Sequence, residues 1–218
     1  MIFVNFKIYP QTFDQSAIDL AKICQQVRDR THIPISLIVS PFDIFRLHSV
    51  VDLPLFLQRF DRYPSGAHNG AISALQGQKL GAAGGLINHS ESRTQPGTIP
   101  SLLGSLPDDF QTILCLRSIG QLDRWASGLS PTYFAYEPPY LISSPDRSVA
   151  SEEPQAISNF VAALSPRPLL VGAGIHSAAD VRQSIKLGAK GIIVASDIVT
   201  SADPAKELAD LASGFTSV

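Results

Sequence analysis

The sequence predicts an α/β protein built as a (β/α)8 barrel. Three observations carry this. Eight short apolar runs recur along the 218 residues, helix-like segments separate them, and no Gly-rich dinucleotide turn follows the first run. Strands that alternate with helices pair in parallel through right-handed crossovers. Eight such repeats close into a barrel, although 218 residues is near the short end for that architecture. The competing open doubly wound sheet would carry the glycine fingerprint at its first turn.

The strand candidates are Ile2–Phe6, Ile35–Val39, Leu55–Phe60, Gly84–Asn88, Thr112–Leu116, Tyr133–Glu137, Leu169–Gly172 and Gly191–Ala195. The helix candidates begin with Phe13 to Arg28, where Ile18, Ala21, Lys22 and Gln25 set a helical spacing and basic residues gather near the end. The others are Asp43–Val51, Ala71–Leu80, Pro100–Leu106, Ser118–Ser127, Glu152–Leu164, Ser177–Leu187 and Pro204–Ala212. Ser177 with Asp180 makes a capping-box-like start, and Asp203 precedes a proline at the first helical position. The polar stretch Ser143–Glu153 reads as a long loop after the sixth strand, a natural place for a lid. No repeat, low-complexity tract or linker divides the chain, so 1–218 reads as a single domain.

Composition excludes several classes. Hydrophobic residues make up 44%, which suits a globular protein with a full core. A net charge of -2 gives no reason to expect nucleic acid or an anionic membrane as partner. The start lacks a basic n-region, and no apolar run approaches the roughly 20 residues of a membrane span. Cys24 and Cys115 form no CxxC and no metal spacing, which points to a reducing, cytoplasmic compartment. No HxH, HExxH or Cys/His cluster suggests zinc.

In a barrel, functional groups gather at the C-terminal ends of the strands. Glu137 is the strongest candidate. It closes the run Tyr133-Phe134-Ala135-Tyr136, and Pro138 and Pro139 stop the strand there. A carboxylate held at a buried strand tip suits a general base, although a lone strand-end Glu is usually structural. A second strand end, Asn88-His89-Ser90-Glu91, strengthens the functional reading. His89 alone can be a satisfied core histidine, the usual fate of a lone His near an apolar strand. Lys7 closes the first strand and can be either a solvated end or a fixed cation for an anionic substrate, with Asn5 pointing the same way. Val171-Gly172-Ala173-Gly174-Ile175 and Val194-Ala195-Ser196-Asp197 are small-residue turns after strands seven and eight. Glycines there can simply permit tight turns. Two such turns in the loops that commonly hold phosphate favour phosphate binding.

Asn5-Phe6-Lys7, Asn88-His89-Ser90-Glu91, Tyr136-Glu137-Pro138-Pro139, Gly172-Ala173-Gly174-Ile175 and Ala195-Ser196 stand in the order and spacing of triosephosphate isomerase. The chain resembles the short, archaeal-type branch of that family over essentially its whole length. The resemblance implies a TIM barrel that interconverts dihydroxyacetone phosphate and glyceraldehyde 3-phosphate without metal or cofactor. It implies that Glu137 moves the proton between carbons, that neutral His89 polarises the carbonyl, and that Lys7 stabilises the developing negative charge. Asn5 would shape that side of the site. Gly174, Ala195, Ser196 and Ser143 would offer backbone donors to phosphate, and Ile142 would close over it in the lid. Ser90 and Glu91 would support from behind, Glu91 beside Lys7. The loop 64–70 would reach a neighbouring subunit, making a homodimer or homotetramer.

Three departures from the family pattern stand out. The lid reads Ile142-Ser143-Ser144-Pro145 where Ile-Gly-Thr-Gly is usual, Asp197 replaces a glycine beside the phosphate, and Asn69 replaces the threonine of the inter-subunit loop. A carboxylate at 197 repels a phosphate dianion unless it turns away, for instance as a helix cap. Two further functions therefore stand beside triose-phosphate isomerisation: an isomerase of another phosphorylated ketose, and a weakly active barrel that binds a phosphorylated ligand.

Overall fold

A computed structural model describes residues 1–142, 144 and 146–216. Its centre is a closed parallel barrel of β1 (Ile2–Asn5), β2 (Ile35–Val39), β3 (Leu55–Leu57), β4 (Ala82–Ile87), β5 (Gln111–Leu116), β6 (Tyr133–Tyr136), β7 (Leu169–Gly172) and β8 (Gly191–Val194). Each strand pairs with the next, and β1 closes on β8 with Ile2 opposite Ile192. All eight predicted strands are present. β3 is shorter than expected, ending at Leu57, and β4 starts earlier, at Ala82.

The helices on the outside are α1 (Asp14–Thr31), α2 (Ile44–His48), α3 (Ala74–Lys79), α4 (Ile99–Leu103), α5 (Ile119–Gln121), α6 (Val149–Glu152), α7 (Pro154–Leu164), α8 (Ala178–Lys186), α9 (Ser196–Val199) and α10 (Pro204–Ser213). Several are shorter than the sequence predicts. Ser118–Ser127 forms only α5 and a π-helical turn over Leu122–Ala126. The expected long loop 143–153 contains α6, whose first turn is capped by Ser148 accepting from the Ser151 N–H. The predicted caps hold: Ser177 accepts from the Asp180 N–H, and Asp203 from the Lys206 N–H.

Strand parity divides the apolar residues into two cores. One side of each strand packs against the helices; the other fills the barrel with Phe3, Ile38, Phe56, Leu86, Ile113, Cys115, Ala135, Leu170 and Ile193. Phe3 and Phe56 meet edge to face at 5.1 Å. Gly84 gives this layer its room: a Cβ there would lie 2.3 Å from the Gln111 carbonyl and 2.5 Å from the Phe56 ring. Parity also aims the site. Two residues beyond Phe3, Ala135, Leu170 and Ile193, on the same inward side, stand Asn5, Glu137, Gly172 and Ala195.

Candidate active site

Three strand ends at this mouth carry non-glycine residues in left-handed conformation: Lys7 after β1 (φ 48°), Asn88 after β4 (φ 63°) and Ala173 after β7 (φ 77°). Such backbone is costly and persists where surrounding bonds hold it. The Lys7 N–H donates to Asn5 Oδ1 at 3.1 Å, and Gln58 Nε2 donates to the Lys7 carbonyl at 2.8 Å. Asn88 is held by its side chain, which donates to the Cys115 carbonyl at 2.9 Å and accepts from the Thr94 N–H. Period two would place His89 on the helix side of β4. The left-handed turn at Asn88 brings it into the mouth instead.

Asn5, Lys7, His89, Glu137, Ile142, Gly174, Ala195 and Ser196 line one cavity of about 50 Å³. That space holds a few waters, and so a small ligand. Lys7 no longer shares a strand with Asn5, since β1 ends at Asn5, yet both reach this cavity. Ser143 and Pro145 lie outside the described residues. Lys7 Nζ donates to Glu91 Oε1 at 2.7 Å, the neighbourhood that the family resemblance implies. The Ser90 hydroxyl is buried without a hydrogen-bond partner among the described residues.

Glu137 is 6% exposed and His89 7%. His89 Nε2 lies 3.8 Å from Glu137 Oε1. His89 Nδ1 accepts the Glu91 N–H at 3.3 Å, so a neutral imidazole carries its proton on Nε2, toward the carboxylate and the cavity. Glu137 Oε2 is buried and has no hydrogen-bond partner among the described residues. A buried carboxylate with an unpaired oxygen is an exception that a purely structural role does not explain. Cys115 beneath it stays a thiol: burial pushes its pKa well up, and the charge of Glu137 pushes it further.

The two small-residue turns meet at the same cavity. Gly174 (φ 67°) must lack a side chain, because a Cβ would come within 2.0 Å of the Arg147 carbonyl. The Val149 N–H donates to the Ala173 carbonyl at 3.2 Å, which ties the end of the lid segment to this turn. Asp197 does not cap α9. The cap position is Ala195, and the Asp197 carboxylate turns to His176, Oδ2 to Nδ1 at 2.8 Å. Sequence reasoning puts His176 in a loop near the mouth without giving it a role, and passes over Gln58. The first follows the glycine turn by two residues; the second lay inside an overlong strand prediction. Among the described residues no three His, Cys, Asp or Glu cluster in a way that could hold a metal ion.

Fold and site together define a (β/α)8 barrel enzyme with a buried carboxylate and imidazole and a half-buried lysine at a cavity that the turns after β7 and β8 also line. A family model described as triosephosphate isomerase matches residues 1–213. The chain is 33% identical to the triosephosphate isomerase of Methanothermobacter thermautotrophicus, covering 98% of this chain and 94% of that one. It is 35% identical to that of Methanosarcina barkeri, covering 96% of each. A crystal structure of triosephosphate isomerase from Bartonella henselae superposes with a TM-score of 0.76 over 99% of this chain and 98% of that one; at 14% identity this likeness concerns the fold alone. The chain belongs to the triosephosphate isomerase family, and its activity is triose-phosphate isomerisation.

Proposed function

We propose that the strand-end residues of this barrel divide the isomerisation among themselves as follows. Glu137 removes a proton from the carbon beside the carbonyl of dihydroxyacetone phosphate and returns it to the neighbouring carbon. His89 donates its Nε2 hydrogen to the substrate oxygen and carries protons between the two oxygens of the enediolate. Lys7 offsets the negative charge that develops, with Glu91 holding its ammonium group and Asn5 its backbone. Ala195, Ser196 and Gly174 contact the phosphate, and Ile142 closes over it. Ser90 supports from behind. The observation that carries this reading is the buried pair Glu137 Oε1 and His89 Nε2, 3.8 Å apart in the cavity that Lys7 also lines.

A coupled isomerase assay on purified protein, with 2-phosphoglycolate as inhibitor, tests it. Glu137→Gln should keep the melting transition and 2-phosphoglycolate binding while turnover falls about a thousandfold. Turnover of the variant at the wild-type rate overturns the role of Glu137.

The same reading extends to assembly. Ile8, Phe13, Phe42 and Phe45 are 77%, 52%, 96% and 67% exposed. Ile8, Phe13 and Phe42 surround a hollow that Lys7 also borders. Apolar patches of this kind are rarely left to water. A second copy covers this one, its loop 64–70 reaching toward Lys7, in a homodimer or homotetramer. Residues 1–218 act as one domain. The two free, buried cysteines support a cytoplasmic site of action. Among the described residues no helix is long and apolar enough to cross a membrane.

A further inference from the structure

Asp197 stands beside Ala195 and Ser196, and its carboxylate has the same sign as the phosphate those residues would hold. Its partner His176 comes from the turn after β7, and both side chains border the cavity of Lys7, His89 and Glu137. The 2.8 Å contact therefore joins the two turns of the cradle. His176 is fixed at its backbone as well: its N–H donates to Asp180 Oδ2 at 3.2 Å. Ser177 Oγ donates to that same oxygen at 2.7 Å, and Ser148 Oγ donates to Asp180 Oδ1 at 2.5 Å. Ser148 caps α6, where the lid segment ends. One hydrogen-bonded network thus runs from the end of the lid through Asp180 and His176 to Asp197.

His176 Nε2 is buried and has no hydrogen-bond partner among the described residues. A sealed, unpaired ring nitrogen is unfavourable, and so the ring is held here by what Nδ1 does. Nδ1–H donating to Asp197 holds the carboxylate on the imidazole, and with it the direction in which the cradle presents that charge to a dianion.

We infer that His176 and Asp197 are positioning residues for the substrate phosphate: their pair sets the spacing of the β7 and β8 turns and keeps the carboxylate turned onto the imidazole. The inference rests on the triose-phosphate reading of the site. It is tested by calorimetric binding of 2-phosphoglycolate and by steady-state kinetics on wild type, H176A, D197N and H176A/D197G. H176A leaves the carboxylate unheld, so the Kd for 2-phosphoglycolate and the KM should each rise about tenfold while kcat moves about twofold at most. D197N keeps an acceptor without the charge and should bind about as tightly as wild type. H176A/D197G removes the charge with its partner and should recover most of the affinity lost in H176A. Unchanged binding by H176A, or a double variant as weak as H176A, overturns the inference. If H176A does not fold, H176Q and H176Q/D197G take its place, and affinity that fails to rise on adding D197G overturns it equally. A wild type that binds 2-phosphoglycolate but does not turn over the triose overturns the isomerase reading alone, and the binding comparison then still decides the role of the pair. A wild type that does not bind 2-phosphoglycolate overturns both.

Discussion

Gly172 leaves the space in which the Glu137 carboxylate lies. A Cβ at Gly172 would stand 3.0 Å from both Cγ and Oε1 of Glu137, closer than real Cβ contacts usually come. The two residues end neighbouring strands on the same inward side, so the room for this carboxylate is made by the residue beside it. The backbone at 172 is ordinary strand, and an alanine there meets no conformational penalty.

Gly172→Ala should therefore fold and melt like the wild type while its carboxylate is pushed aside. Displacing a catalytic group by a fraction of an ångström to an ångström costs up to about a hundredfold in rate. The measurement is kcat with the triose beside a melting curve. A variant with wild-type kcat would mean that Glu137 has freedom the packing does not suggest.

Gln58 holds Lys7 in its left-handed turn from the far side, through the 2.8 Å bond to the Lys7 carbonyl. Gln58→Leu removes that donor and leaves the carbonyl unpaired next to a strained residue. An unsatisfied group of this kind costs roughly 1–3 kcal/mol, part of which the turn can relieve by relaxing. The ammonium group then loses its fixed place, and kcat/KM should fall by about tenfold. A fall in melting temperature with kcat/KM unchanged would make Gln58 merely structural.

The strands are legible in the sequence because each is a short apolar run bounded by turns, and parity then tells which residues face inward. Glu137 is legible for the same reason: two prolines stop its strand at an inward position. His89 is not placed by parity, since the left-handed turn at Asn88 depends on side-chain bonds to Cys115 and Thr94 from outside the strand. Short helices are overpredicted where tertiary packing sets the length, as in Ser118–Ser127. The partner of Asp197 is invisible locally, because His176 lies 21 residues away and only barrel closure brings the two turns together.

The exposed apolar patch gives a test of assembly. Phe42 is 96% exposed beside the hollow that Lys7 borders. Phe42→Asp places a charge where a second copy would dock, and burying an unpaired carboxylate there is strongly unfavourable. Sedimentation should report a smaller species than for the wild type at equal concentration. The rate should fall too, because the patch adjoins Lys7. Identical sedimentation of the two proteins would show that this patch is not the interface.

Alkaline pH should destabilise the fold through its buried thiols. Cys24 is 0% exposed in α1, and burial pushes its pKa from 9.0 up to about 12. Cys115 is shifted in the same direction, by burial first and by Glu137 second. A thiol whose folded pKa exceeds its unfolded one keeps its proton longer when folded. Its contribution to stability is complete below pH about 9 and is lost as pH rises toward about 12. Within that window a single such group removes up to about 1.4 kcal/mol per pH unit. Melting temperatures should thus be level near neutral pH and fall increasingly above pH about 9, less steeply in Cys24→Ala, which has no thiol to ionise there. At about pH 8 a thiol reagent should react slowly with the native chain and rapidly with both cysteines once it unfolds. Fast labelling of native Cys24, or an alkaline slope unaltered by Cys24→Ala, would show that this thiol is not sealed in the core.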